Sequence, residues 1–234
     1  MDVYLSGKRV RVSDIDLLGE GGEARVYRLG AAALKLFHPV QDRLAQQLLD
    51  QKLLKLAQFP KGLPAAVMSP MELATDKAGR VVGYTMPLVP GAEDFGRLAQ
   101  RKWRVGVVSN AGLTAVFREL HSLVEGLHAA RVVIGDFNDG NVLFRPALQP
   151  SAQVALIDAD SMQFGGFPCP VGHERFLDPR LYGVDLSTAP RFDDGSDCTP
   201  SRCCSSRACS RCIPSGVRTR SCLRCFGARK PGTR

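Results

Sequence analysis

The composition of this 234-residue chain changes abruptly at position 198, and only the residues before that position are suited to forming a folded core. The tail, residues 198–234, contains nine Lys or Arg and seven of the eight cysteines, but no Asp or Glu. Residues 1–197 therefore contain 22 basic and 23 acidic residues and a single cysteine, Cys169. A near-neutral, cysteine-poor sequence of this length is typical of one large domain or two small lobes in a reducing compartment.

The sequence also bears on membranes and secretion. No run of about 18 or more apolar residues occurs in the chain, whereas a membrane-spanning helix needs about 20. The first residues lack the basic region and apolar run of a secretory signal. We therefore expect a cytoplasmic protein that has no membrane partner.

Apolar periodicity predicts the order of helices and strands. Period-two alternation, interrupted by glycines, predicts three strands within residues 9–37. Leucines at helical spacing predict a helix over residues 41–57, and a longer apolar stripe predicts another over 110–130. Further strands are predicted over residues 66–73, 81–89, 132–134, 141–144 and 154–157. The chain-breaking pair Pro90-Gly91 marks a domain boundary.

Two segments near the N-terminus are candidates for binding phosphate groups. The first is Gly19-Glu20-Gly21-Gly22-Glu23-Ala24-Arg25-Val26, between two predicted strands. Because glycine has no side chain, such a loop lets phosphates approach the backbone; the alternative is a glycine-rich hairpin turn. The second is Ala33-Leu34-Lys35 on the next strand. Apolar neighbours argue against the alternative that Lys35 is a solvated lysine on a strand edge.

Two acidic segments follow later strands. In Asp136-Phe137-Asn138-Asp139-Gly140-Asn141 an Asp and an Asn stand five positions apart before an apolar strand; the alternative is an Asx-rich turn. In Leu156-Ile157-Asp158-Ala159-Asp160 the acids come directly after an apolar strand; the alternative is a strand-ending turn. We favour Asp158 over Asp160 as a metal ligand because it follows the strand directly, and Mg²⁺ prefers oxygen ligands.

Taken in order, the four segments resemble the protein kinase superfamily over residues 10–197. The glycine-rich segment resembles G-x-G-x-x-G-x-V with Ala24 in place of the third glycine, and Ala33-Leu34-Lys35 resembles V-A-I-K. The later segments resemble the Asp and Asn of the catalytic loop and the Asp of D-F-G. Asp158–Ser161 and residues 171–181 are most similar to bacterial kinases fused to a C-terminal helix-hairpin-helix DNA-binding region.

The resemblance implies an α+β, two-lobed kinase-like fold, with an N-lobe over 1–89 and a truncated C-lobe over 90–197. It implies transfer of the γ-phosphoryl group of ATP to a Ser or Thr hydroxyl of a protein substrate, with Mg²⁺ as cofactor. Asp136 and Lys35 would be catalytic, and Asn141 and Asp158 would bind the metal. The implied ATP-binding residues are Gly19, Gly21, Gly22, Ala24, Val26, Lys35, Met86 and Leu88, with Met86-Pro87-Leu88 as the hinge that meets adenine. DNA would be a partner only through a C-terminal region absent from this chain.

Two departures from the kinase pattern affect activity. The H-R-D motif is replaced by Ile134-Gly135-Asp136, which lacks the arginine that receives an activation-loop phosphate. We therefore expect activity without phosphorylation of that loop. The predicted helix over 41–57 contains no Glu to pair with Lys35, so Asp50 or a glutamine must replace it, or the pair is missing.

The tail admits two interpretations. Cys209-Ser210-Arg211-Cys212 and Cys222-Leu223-Arg224-Cys225 are two C-x-x-C pairs, which bind Zn²⁺ in many proteins and, with basic neighbours, nucleic acid. Against this, the tail has too few large apolar residues to pack around a metal. We instead hypothesise a frameshift that leaves residues 198–234 disordered. With one base inserted in the codon of Cys198, permitted codons encode Trp-Tyr-Ala-Phe-Ala-Val-Leu-Leu-Phe, the apolar helix that a C-lobe needs. Resequencing that confirms the present frame would contradict the hypothesis.

The sequence thus leaves three functions open. The first is an ATP-dependent Ser/Thr protein kinase. The second is a nucleotide-binding pseudokinase or scaffold, favoured by the missing Glu and the truncated C-lobe. The third is a zinc-binding or nucleic-acid-binding tail.

Overall fold

The computed structural model of the chain describes residues 1–40, 42–146 and 153–197. The chain divides into two compact units. The first contains Met1–Pro90 together with Leu156–Asp160, and the second contains Gly91–Ala155 and the described residues from Ser161 onward. The tail, with its predicted zinc site and its predicted disorder, lies outside the described residues.

The first unit is built on seven strands and one helix. Its elements are β1 (Asp2–Leu5), β2 (Lys8–Arg11), β3 (Leu17–Glu20), β4 (Ala24–Leu29), β5 (Ala32–Phe37), α1 (Arg43–Ala57), β6 (Glu72–Thr75) and β7 (Val81–Pro87). The strands form one curled antiparallel sheet in the order β2-β1-β6-β7-β5-β4-β3. One face of this sheet packs a core of six buried residues, which are Val3, Val12, Tyr27, Leu34, Leu36 and Ala74.

Capping and apolar spacing account for α1. The side chain of Asp42 accepts a hydrogen bond from the backbone N–H of Ala45 at 2.8 Å and so caps the first turn. Leu49, Leu53 and Leu56 recur at three- and four-residue steps, as expected for a helix with one packed face. The predicted helix over 41–57 is therefore confirmed, with its start two residues later.

The predicted strand over 66–73 is wrong over most of its length. Only Val67 forms an isolated bridge, parallel to Leu156, and the regular strand β6 begins at Glu72. Pro70 lies between them, and proline has no N–H to donate to a neighbouring strand. The strand predicted over 81–89 is confirmed as β7, and the turn before it contains Gly79 with a φ of 81°.

The described residues of the second unit combine short strands with the α-helices α2 and α3 and a helical turn over 194–197. Its elements are β8 (Glu93–Asp94), α2 (Arg101–Arg104), α3 (Asn110–Ala129), β9 (Val132–Val133), β10 (Val142–Arg145), β11 (Gln153–Leu156, whose last residue belongs to the first unit) and β12 (Gln163–Phe164). Strand β10 lies between β11 and β8, and β12 pairs with β9.

The long helix α3 organises the core of the second unit. The Ser109 hydroxyl caps it by accepting from the N–H of Gly112 at 3.0 Å. Its buried face consists of Leu113, Val116, Leu120, Leu123 and Leu127, at alternating steps of three and four. Burying each such side chain contributes about 1.5–3 kcal/mol. The predicted helix over 110–130 is thus confirmed to within one residue.

The chain is therefore of mixed α/β class. Within the part of the chain that the structure describes, no helix is both long and apolar enough to cross a membrane.

Candidate active site

Lys35 lies on an interior strand of the sheet rather than on an edge. Strand β5 runs between β4 and β7, and Lys35 is paired in register with Val26 on one side and Tyr84 on the other. Directly paired residues of antiparallel strands share a face of the sheet. Leu34 and Leu36 point to the opposite face and belong to the core, so Lys35 is buried on the face away from that core. The alternative interpretation, that Lys35 is a solvated lysine on a strand edge, is therefore wrong.

Two aspartates hold the ammonium of Lys35. Its Nζ donates to Oδ1 of Asp158 and, at 2.8 Å, to Oδ1 of Asp160. The hydroxyl of Tyr84 donates to the same oxygen of Asp160 at 2.6 Å. The helix residue Asp50, a candidate partner of Lys35 on the sequence, instead accepts from Gln46 at 2.8 Å on the exposed side of α1.

Helix α1 contributes a lysine to this cluster. The ammonium of Lys52 forms ion pairs with Glu23 of the glycine-rich loop and, at 3.2 Å, with Oδ2 of Asp160. Lys52 also stands over the ring of Phe37, 5.5 Å from its centroid. We define the charged cluster as Glu23, Lys35, Lys52, Asp158 and Asp160. All five residues belong to the first unit.

Burial and charge oppose each other in the charged cluster. Burial disfavours the charge of Asp160, but the ammonium groups of Lys35 and Lys52 outweigh it and hold the pKa of Asp160 below its ordinary value. Burial likewise works against Lys35, but the two aspartates raise its pKa. Burial and the neighbouring charge of Asp160 raise the pKa of Asp158. Asp160 is therefore the firmly ionised carboxylate of the pair.

The acidic segment is anchored to the first unit through its backbone. The N–H of Leu156 donates to the carbonyl of Ala66, and the N–H of Met68 donates to the carbonyl of Leu156, both at 2.8 Å. Asp158 has a φ of 59°, a left-handed conformation that few non-glycine residues adopt. The side chain of Asp158 keeps 30% of its surface exposed, whereas that of Asp160 has none. Of the two aspartates, Asp158 is thus the one that is directly accessible from solvent.

The glycine-rich segment forms the hairpin between β3 and β4. The N–H of Gly21 donates to the carbonyl of Ala24 at 2.9 Å and closes the loop. A Cβ atom added at Gly19 or Gly22 would meet no protein atom within 4 Å. None of the glycines at 19, 21 and 22 has a positive φ. Neither packing nor backbone conformation within the described residues therefore requires glycine there.

The predicted hinge residues lie at the end of β7. Met86 is paired with Ala33, two residues before Lys35, and so shares the face on which Lys35 lies. Met86 is buried, and Leu88 follows directly after the last residue of the strand. Ala24 and Val26, the remaining predicted loop positions, pair with Phe37 and Lys35.

A second group of predicted residues meets in the second unit. Nδ2 of Asn141 donates to Oδ2 of Asp136 at 3.1 Å and to its carbonyl at 2.9 Å. The other carboxylate oxygen of Asp136 accepts from the N–H of His173 at 3.0 Å. Oδ1 of Asn138 accepts from the N–H groups of Gly140 and Asn141 at 2.9 and 3.1 Å. An Asx-type turn therefore fixes the loop and aims Asp136 and Asn141 at each other.

Asp197 supports this loop, although it lies outside every sequence motif described above. Its fully buried carboxylate accepts from the N–H groups of Ile134 and Gly135 at 2.8 and 2.9 Å and is 2.9 Å from Nε2 of His128. Gly135 has a φ of 72°, and a Cβ there would lie 2.7 Å from that of Cys169. The glycine that replaces arginine in the H-R-D pattern is thus required by the fold of the loop.

The structure therefore brings the predicted residues together in two groups, one in each unit. Lys35 and Asp158 meet in the first, and Asp136 and Asn141 meet in the second. Among the described residues, no group of three or more His, Cys, Asp or Glu side chains is arranged to hold a metal ion. The oxygens of Asp158 suit Mg²⁺, but nucleotide phosphates and water would have to supply most other ligands, as is usual for this ion.

Comparison of the chain with protein-family models and with curated proteins found no match.

Proposed function

We propose that this chain is an ATP-dependent protein kinase with a kinase-like two-lobed fold that phosphorylates Ser or Thr hydroxyls. The observation that carries the proposal is the placement of Lys35, a buried lysine held by Asp158 and Asp160 on the sheet face beside the glycine-rich loop. A buried ammonium that already binds carboxylate oxygens is suited to phosphate oxygens. Exchange of one carboxylate for a phosphate keeps the charge paired.

The glycines of the loop support nucleotide binding. Because Gly19 and Gly22 have open space where a side chain would stand, the fold alone gives no reason for glycine. Close approach of phosphate groups to the backbone does give one, since a Cβ would block it. Met86 lies on the same face as Lys35, and Met86 and Leu88 would provide apolar surface for adenine.

The Asp136 loop supplies the chemistry in this proposal. Asp136 would accept the proton of the acceptor hydroxyl as oxygen attacks the γ-phosphorus and the bond to the β-phosphate oxygen breaks. Asn141 donates its amide N–H to Asp136, which leaves its carbonyl oxygen as an acceptor for a cation. Asp158 and Asn141, the predicted metal ligands, each present an oxygen that suits Mg²⁺, which neutralises phosphate charge when bound.

Radiolabelled phosphate transfer and Mg-ATP binding test the proposal together. Asp136→Asn is expected to abolish transfer to a generic protein substrate and to leave Mg-ATP binding unchanged. Lys35→Ala and Asp158→Ala are expected to weaken binding, measured as the loss of a ligand-induced rise in Tm. Asp50→Asn, on the exposed side of α1, is the control that keeps both activities. Transfer that survives Asp136→Asn would refute the assignment.

A nucleotide-binding pseudokinase is the second candidate. The observation that favours it is the charge of α1, which presents Lys52 instead of a glutamate to the charged cluster. Binding of Mg-ATP to the wild-type chain with no phosphate transfer would support this candidate over the kinase.

A further inference from the structure

Helix α1 places a cation where the kinase resemblance implies an acid. Lys52 lies between Leu49 and Leu56 on the packed side of the helix, and its side chain is only 13% exposed. Burying a lysine is costly unless its charge is paired, and here Glu23 and Asp160 pair it. An ammonium has three N–H donors, so both partners help to satisfy it, and one of them, Asp160, also contacts Lys35 directly.

We propose that Lys52 is a positioning residue for Lys35. Lys52 neutralises Oδ2 of the Asp160 carboxylate, so that Asp160 can hold Lys35 in place for a nucleotide phosphate. The inference rests on the proposed function for its nucleotide step only. Lys52 itself touches no reacting atom in this scheme.

The two oxygens of Asp160 have different partners. Oδ1 accepts from Lys35 at 2.8 Å and from Tyr84 at 2.6 Å. Oδ2 is buried and receives no hydrogen bond of good geometry from the described residues, but the ammonium of Lys52 is 3.2 Å away. Without Lys52, a buried carboxylate would keep an uncompensated oxygen, and Lys35 would be drawn to serve both oxygens.

This arrangement allows Lys35 to exchange Asp158 for a phosphate group as its partner. Two carboxylates and two ammonium groups balance within the buried part of the charged cluster, so Asp158 is able to leave Lys35 without stranding it. Asp160, held by Lys52 and Tyr84, then remains as the fixed support of Lys35. Lys52 thereby orients Lys35 through Asp160, whereas a helix glutamate would orient it directly.

The first test measures the position of Lys35 in the absence of nucleotide. In protein whose lysines carry carbon-13 at the ε position, a fixed lysine gives two distinct ε-proton shifts, whereas a mobile one averages them. The Lys35 signal is assigned by its loss in Lys35→Met. We expect distinct shifts in wild type and Lys52→Arg, and averaged shifts in Lys52→Met. Arg43→Met, which removes an exposed cation from the same helix, is the control and should leave the signal unchanged.

The second test measures the dissociation constant of Mg-ATP. Lys52→Met is expected to raise it about tenfold and Lys52→Arg to restore it to within about threefold, since coupled contacts in one network are of this size. In an Asp160→Asn background, Lys52→Met should change affinity less than about twofold, because the coupling partner is gone. If Lys52→Met does not fold, Lys52→Gln takes its place in both tests.

The outcomes separate this inference from the proposed function. Unchanged Lys35 shifts in Lys52→Met overturn the inference whatever nucleotide does. Averaged shifts in a protein whose wild type binds no Mg-ATP support the positioning of Lys35 and refute the proposed function. Averaged shifts with unchanged affinity overturn the role in nucleotide binding. If Glu23→Gln averages the Lys35 shifts as Lys52→Met does, Lys52 acts on Lys35 through the glycine-rich loop and not through Asp160, and the inference is wrong.

Discussion

Replacing Asp197 should destabilise the second unit and loosen the loop that carries Asp136. The fully buried carboxylate satisfies two backbone N–H groups, those of Ile134 and Gly135, and Asp197→Ala leaves both without an acceptor. An unsatisfied buried donor costs about 1–3 kcal/mol, so we expect a loss of about 2–6 kcal/mol in the free energy of unfolding. That is a large share of the roughly 5–15 kcal/mol of an ordinary domain.

Asp197→Asn should have about half of this effect. The amide of asparagine keeps one acceptor oxygen, but its NH2 group replaces the other oxygen and cannot accept from a backbone N–H. One of the two hydrogen bonds is therefore lost. The matched control is Asp194→Asn, whose exposed side chain lies in the same helical turn; it should change stability by no more than about 0.5 kcal/mol.

Urea unfolding and amide hydrogen exchange measure the two parts of this prediction. The midpoint and slope in urea give the free energy of unfolding for wild type and for the three variants. Exchange at the amides of Ile134 and Gly135 reports directly on the bonds to Asp197, and should accelerate in the alanine and asparagine variants. If Asp197→Ala stays within about 1 kcal/mol of wild type and keeps both amides protected, the carboxylate does not anchor the loop.

Three further predictions concern the loop glycines, phosphorylation and pH. Gly22→Ala should leave the free energy of unfolding unchanged or raise it by about 0.4–1 kcal/mol, because Ala restricts the unfolded chain, yet weaken Mg-ATP binding; unaltered affinity would count against the phosphate loop. Ser161 is the only Ser or Thr in residues 159–178, and it is buried. Protein prepared with a phosphatase should therefore transfer phosphate as fast as untreated protein, and a large loss of rate would refute independence from phosphorylation. The hydrogen bond to Asp197 raises the pKa of His128 in the folded state. Its contribution to stability should be complete below the unfolded pKa of about 6.5 and lost as pH rises through the folded value. His128→Gln should remove that part of the pH dependence in urea unfolding.

Long periodic segments of this chain were predictable, and short strands were less so. Helix α3 was predictable because twenty residues repeat one apolar stripe, and the signal accumulates with length. The strand predicted over 66–73 failed because apolar content alone does not report which N–H groups find a partner, and Pro70 has none to offer. Strand β1 was missed because its four residues carry little periodicity and depend on pairing with both β2 and β6.

The charged cluster shows what sequence patterns contain and what they lack. The burial of one face of β5 was predictable from Leu34 and Leu36, although successive residues point to opposite faces and these neighbours do not report on the face of Lys35. The role of Asp160 was not, because its partners are distant in sequence and only the fold brings them together. Lys52 left no such signal, because it stands beside the continuous apolar stripe of Leu49, Leu53 and Leu56 and its acidic partners lie in other segments.

The absence of a glutamate from α1 favours a pseudokinase on the sequence, but the contacts of the charged cluster weaken that argument. The helix glutamate matters in kinases because it fixes a lysine, and electrostatics does not specify which element must supply the acid. Here Asp160 fixes Lys35 from the segment after β11, and Lys52 balances Asp160 from α1. A missing glutamate is therefore not a missing ion pair. The choice between kinase and pseudokinase then depends on whether Asp136, held by Asn141 and by the loop that Asp197 supports, receives the proton of an acceptor hydroxyl.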